Sequence, residues 1–153
     1  VSIAIRLGRA DERAMLEALQ RRASLTWAEY RSYLLANPDV IELPLAQLRD
    51  GRVRVAEWDG VVAGFAALLP RNGFCELDGL FVEPGLWGRG VGRALIADAL
   101  AHARAEGAAS IETVANPRAE GFYRRLGFAA CGQAQTPLGP ASRMRISAIC
   151  AQT

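Results

Sequence analysis

One stretch limits what this chain can fold into more than any other: Leu77-Asp-Gly-Leu-Phe-Val-Glu-Pro-Gly-Leu-Trp-Gly-Arg-Gly-Val-Gly-Arg-Ala-Leu-Ile96. Leu77, Phe81 and Val82 supply strand character, Pro84-Gly85 breaks it, and Gly88, Gly90 and Gly92 precede a helical run predicted over Arg93 to Glu106. The turn therefore opens a helix. A helix start leaves about four backbone N–H groups without intrahelical partners and carries partial positive charge, so a phosphate satisfies both. Glycines at alternate positions remove the side chains that would keep a pyrophosphate from those groups. Arg89 and Arg93 add formal charge.

Two better-known glycine motifs fail here. The dinucleotide fingerprint needs a small residue three positions after its second glycine, where this chain has Arg93. A Walker loop needs a lysine, and the chain contains none.

The rest of the chain surrounds this stretch with alternating elements. Ile3 to Leu7 alternates like a strand, and from Ala10 the apolar residues Ala14, Met15, Ala18 and Leu19 recur at helical spacing, with Asp11 and Arg21-Arg22 complementing the dipole. A second helix is predicted over Thr26 to Leu35, its Trp27, Tyr30 and Tyr33 read as a face packed on the sheet. After Asn37-Pro38 comes a loop with one helical turn around Leu45 to Leu48. Arg52 to Trp58, an Asp59-Gly60 turn and the apolar run Val61 to Leu69 read as a hairpin, followed by a strand over Phe74 to Val82. The motif helix turns Val91, Ala94, Leu95, Ala97, Leu100 and Ala101 inward and ends near Gly107; His102, late in it, reads as a surface or helix-end charge. Ser110 to Val114 is a strand, Asn116-Pro117 an N-cap and N1, and the helix through Leu126 closes on Gly127. Phe128 to Cys131 starts a strand, Gly132 to Pro140 reads as a turn-rich loop, and Arg143 to Ala148 as a last strand.

Leu80-Phe-Val-Glu-Pro followed by Gly88-Arg-Gly-Val-Gly-Arg93 resembles motif A of the GCN5-related N-acetyltransferases, the GNAT family, and Asn116 to Phe128 resembles its motif B. Two motifs about thirty residues apart are far more specific than either alone. The pattern's usual Gln or Arg falls on Trp87, a departure from it. The resemblance covers Val53 to Phe128 well and says little of residues 1 to 50 or the C-terminal loop, where acceptor choice is expected. It implies an α/β fold with a twisted, mostly antiparallel sheet of six to seven strands flanked by about four helices. It further implies acetyl-CoA as co-substrate, held by Leu80, Phe81, Val82, Gly88, Arg89, Gly90, Val91, Gly92, Arg93 and Asn116. A small-molecule or peptide amine is the implied acceptor, and a homodimer is compatible with it.

Thioester aminolysis needs a neutral amine and a stabilised leaving thiolate. The family's general-acid tyrosine falls on Tyr123; a phenol of pKa about 10 can donate to a thiolate of about 8.5. The base that deprotonates the amine is read as Glu76, at the register of the catalytic glutamate in the histone-acetylating branch. Asp78, Glu112 and a water relay remain alternatives. Two rival readings are an acyl-CoA-binding module without turnover and a nucleotide-binding regulatory domain.

At 153 residues, half of them hydrophobic, the chain suits one domain burying roughly 70% of its unfolded surface. A charge of +2, with 18 arginines in runs no longer than a pair, does not imply nucleic acid. Cys75, Cys131 and Cys150 lie far apart beside a single histidine, which suggests neither metal nor a disulfide framework and suits a reducing cytoplasm. Val61 to Leu69 is too short to span a bilayer, and no membrane association or signal peptide is expected.

Overall fold

The computed structural model describes residues 1–149, with every side chain but that of Glu29; Cys150 lies outside the described residues. In chain order the elements are β1 (Ile3–Leu7), α1 (Arg13–Leu25), α2 (Ala28–Ala36), α3 (Leu45–Arg49), β2 (Val53–Trp58), β3 (Val61–Pro70), β4 (Cys75–Val82), α4 (Val91–Ala105), β5 (Ser110–Ala115), α5 (Glu120–Arg125), β6 (Ala129–Thr136) and β7 (Gly139–Ser147). Single 3-10 turns sit at Ala10–Glu12 and Pro84–Leu86. The seven strands form one sheet in the order β1-β2-β3-β4-β5-β7-β6. Its pairs β1–β2, β2–β3, β5–β7 and β6–β7 are antiparallel, while β4–β5 is parallel, as a helical crossover such as α4 requires.

The Cα positions group into two compact units: Val1–Ala67 with Gly79–Ile96, and Leu68–Asp78 with the described residues from Ala97 on. In the first, α1 turns Leu16 and Leu19 onto Val53 and Val55 of β2 and Phe65 and Ala67 of β3, with Leu43 and Leu48 closing the cluster. The β2–β3 turn is the expected one, with Asp59 and Gly60 both at positive φ (49° and 85°), which is type I′ geometry. Arg6 meets buried Glu12 with two bonds of 2.9 and 2.8 Å and Glu57 with one of 3.0 Å, fixing β1 to the turn before α1. In the second unit Ile111, Met144 and Phe128 are buried.

Three expectations are corrected. Gly132 to Pro140 is a hairpin rather than a loop: β6 runs to Thr136 and pairs with β7 from Gly139. Its small and polar residues carry weak strand signal because β6 is the exposed edge, where backbone pairing does the work that apolar alternation does elsewhere. The five α-helices among the described residues agree with the expected fold, the turn expected at Leu45 to Leu48 forming α3. The buried face of α4 is Val91, Leu95, Ile96, Ala99 and Ala103, whereas Ala97 and Ala101 are exposed; alanine marks a buried face poorly. Trp27, Tyr30 and Tyr33 are half-buried, whereas Leu34 of α2 is buried. No described helix is long and apolar enough to cross a membrane.

Candidate active site

The end of β4 and the turn after it lie in the first unit. Glu83 donates its N–H to Ala63 O of β3 at 2.8 Å. No peptide among the described residues is cis, so the C=O of Val82 points the opposite way, away from β3. A Cβ on Gly64 of β3 would sit 2.7 Å from Phe81 O, so that carbonyl faces β3 and the N–H of Val82 points away as well. Both backbone groups of Val82 are thus turned from β3, as a strand-like ligand needs them to be. Leu80, Phe81 and Val82 are all half-buried.

Pro84 then turns the chain, and Gly88 and Gly90 adopt φ of 76° and 91°. Space does not demand glycine there: a Cβ at Gly88 would meet nothing within 4 Å, and at Gly90 only Ile3 Cδ1 at 4.0 Å. The backbone demands it, and the room a side chain would fill is left open. Gly90 O accepts the first helical bond, from Ala94 N at 3.0 Å. Val91, Gly92 and Arg93 therefore present the N–H groups that a helix start leaves for a ligand. Val91 is buried, anchoring the start of α4, while Arg89 and Arg93 are exposed. These residues fit a pyrophosphate.

Trp87, the departure from the family pattern, is held twice. Its Nε1–H donates to Val82 O at 2.8 Å, and its ring stacks on Trp27 with centroids 5.3 Å apart and planes 20° apart. Beside it Arg22 of α1 grips the Glu83 carboxylate through Nε at 3.1 and 3.2 Å and through Nη2 at 2.5 Å.

In the second unit the parallel ladder pairs Cys75 with Ile111, Glu76 with Glu112 and Leu77 with Thr113. Thr113, buried, donates its hydroxyl to Leu77 O at 3.0 Å. Tyr123 is 7% exposed, and its ring meets Phe122 and Phe128 edge-on. Burial pushes its hydroxyl up to about 12. Asn116 follows β5, and its Oδ1 accepts from Arg118 N (2.9 Å) and Ala119 N (3.0 Å). That makes residues 117–119 a capped turn, so α5 starts at Glu120 and not at Pro117; the Asn116 Nδ2 is the part left for a ligand. Glu120 accepts from the Ser142 hydroxyl of β7, fixing the start of the helix that carries Tyr123.

Glu76 is half-buried and paired with Arg71, whose Nε and Nη2 lie 2.9 and 2.6 Å from Oε1. Both bonds land on one oxygen, so Oε2 is the one available to a proton. His102, 47% exposed, lies 3.7 Å from Asp98 and stays at the surface end of α4. Among the described residues no group of three or more His, Cys, Asp or Glu could hold a metal ion. The sequence reading missed Thr113, Arg71 and the Trp27–Trp87 pair. Thr113 had a signal, a polar residue at the inward phase of Ile111-Glu-Thr-Val-Ala115; the others meet through folding and had none.

A mixed sheet with a glycine turn at the start of its crossover helix defines a class, the α/β proteins that hold a phosphate-bearing cofactor on backbone N–H groups. Within it, this chain belongs to the acetyltransferase (GNAT) family, whose profile matches residues 13–128. It is 40% identical over 79 residues to streptothricin acetyltransferase of Streptomyces lavendulae, which covers 48% of this chain and 42% of that one. It is 48% identical over 48 residues to chloroplastic serotonin N-acetyltransferase 2 of Oryza sativa subsp. japonica, covering 31% of this chain and 24% of that one. The chain thus spans less than half the length of either relative. The crystal structure of the PaiA N-acetyltransferase of Thermoplasma acidophilum with coenzyme A shares the fold, with a TM-score of 0.78 over 96% of this chain and 99% of that one at 18% identity.

Proposed function

We propose that the chain transfers an acetyl group from acetyl-CoA to a primary amine of a small molecule or peptide by direct attack. The observation that carries this is the turn from Gly88 to Arg93, where two glycines at positive φ open onto the first N–H groups of a 15-residue helix. In this reading those N–H groups, with Arg89 and Arg93, hold the pyrophosphate, the backbone of Leu80 to Val82 meets the pantetheine arm, and Asn116 supplies a further donor. The amine nitrogen forms its bond to the acetyl carbon, the C–S bond breaks, the proton that the acylated nitrogen sheds passes to the thiolate, and the products are an amide and free CoA thiol. Glu76 takes the proton that the ammonium must lose, through Oε2, and Tyr123 donates a hydrogen bond to the departing sulfur. The relatives named for streptothricin and serotonin make small amines the first acceptors to try. A reducing, cytoplasmic setting is part of the reading, because the exposed Cys131 would oxidise outside one.

The test is release of free thiol from acetyl-CoA over polyamines, amino acids, aminoglycosides, streptothricin, serotonin and peptides. Amine-dependent release is expected with at least one class, and sedimentation of the same protein reads whether it is a homodimer. A folded protein that binds acetyl-CoA and releases no thiol with any amine would instead be a binding module.

A further inference from the structure

We infer that Trp87 is a positioning residue for the cofactor's arm: it takes the Val82 carbonyl for itself, so that at this residue the arm is met by the N–H alone. The inference rests on the reading that the pantetheine lies along Leu80 to Val82. Val82 is the last residue of β4, and the peptide geometry on both sides turns its N–H and C=O away from β3. A strand-like ligand normally uses both groups of such a residue, accepting from one and donating to the other. Here the Trp87 indole N–H already donates to that carbonyl at 2.8 Å. The indole is not free to swing, because its face is stacked on Trp27 and the Arg22–Glu83 pair ties α1 to the residue after Val82. An indole has one donor and no acceptor, so it can close the carbonyl without offering the arm anything in exchange. The arm is thereby held at fewer backbone points at the end of β4.

Trp87→Phe keeps an aromatic ring on Trp27 and removes the N–H, returning the carbonyl to the arm. One recovered hydrogen bond corresponds to about 2- to 12-fold in affinity. Calorimetry should therefore show acetyl-CoA binding tighter by that factor in Trp87→Phe. Affinity for adenosine 3′,5′-bisphosphate, which keeps the nucleotide and the first phosphate of the pyrophosphate but has no arm, should not change. An acetyl-CoA affinity that is unchanged or weaker, or an equal gain for the bisphosphate, overturns the inference. A measurement on the wild-type protein guards against a variant that folds poorly. The Trp87 indole proton, assigned by nuclear magnetic resonance against Trp27 and Trp58, should exchange slowly with solvent both alone and with acetyl-CoA. Loss of that protection on binding would mean that the carbonyl changes partner, and the inference fails. Failure of the underlying reading is seen separately: if the pantetheine does not lie along Leu80 to Val82, the amide signals of those residues in the wild-type protein would respond to acetyl-CoA no differently than to the bisphosphate.

Discussion

Tyr123 carries a proton that its surroundings hold tightly. With its hydroxyl pushed up to about 12, handing the proton outright to a thiolate of pKa about 8.5 is uphill by roughly 5 kcal/mol. Its proposed role is therefore a hydrogen bond that stabilises the developing sulfur charge, and bonds to charged groups contribute about 1.5–3 kcal/mol. Tyr123→Phe should lower kcat by about 10- to 150-fold with little change in the KM for acetyl-CoA, and the wild-type rate should show no fall from this group below about pH 10. Steady-state kinetics across pH decide it, and an unaltered kcat would remove the role. Glu12 makes the second residue-scale case. Arg6 is the first cause holding its carboxyl below the ordinary 4.5 despite burial. A depressed folded value means that the stabilisation is present above the unfolded value and lost as pH falls through the folded one. Glu12→Gln should cost about 3 kcal/mol in urea unfolding at pH 7. The deficit should shrink as pH falls below the ordinary carboxylate value, where the unfolded chain takes up the proton first, and disappear once pH has fallen through the depressed folded value. The motif around Tyr123 was legible in the sequence, whereas Glu12 gave no sign of its partner because Arg6 reaches it from β1 through the fold.

At the scale of the element, β3 and β4 are set against each other by one absent side chain. A Cβ on Gly64 would lie 2.7 Å from Phe81 O and 3.3 Å from Val82 Cα, and a backbone atom cannot step aside as the end of a flexible side chain can. Gly64→Ala should destabilise by about 1–3 kcal/mol and, by displacing Val82, weaken acetyl-CoA binding. Unchanged stability and affinity together would show that the close approach is not needed. Nothing in Val61 to Leu69 distinguished Gly64 as special, since a glycine in an apolar run reads as a neutral interruption. The strand, turn and helix from Leu77 to Ile96 were legible because proline, glycine and helical periodicity each punctuate the chain locally. The β6–β7 hairpin was not, because Ala129 to Thr136 is held by its pairing with β7, a partner that local sequence does not reveal.

At the scale of the whole molecule, the sheet was legible as a class from the order of its elements, and the family motifs added the turn's ligand. Contacts between distant segments, such as Trp27 on Trp87 and Arg71 on Glu76, were beyond any local pattern. The proposed ligand gives this scale its own test, because a molecule that binds the folded chain and not the unfolded one stabilises all of it. At a hundred times its dissociation constant acetyl-CoA should add about 2.7 kcal/mol. For a chain of this size that raises Tm by roughly 5–10 °C. Two variants separate binding from chemistry on the same instrument. Gly90→Val forces a branched side chain onto φ of 91° and fills the room beside the first helical N–H groups, so its melting should not respond to acetyl-CoA. Tyr123→Phe keeps the turn intact and should show the full wild-type shift while its rate falls. An undiminished shift in folded Gly90→Val would mean that acetyl-CoA is held elsewhere; a shift lost in Tyr123→Phe would make the phenol a binding group rather than a partner of the leaving sulfur.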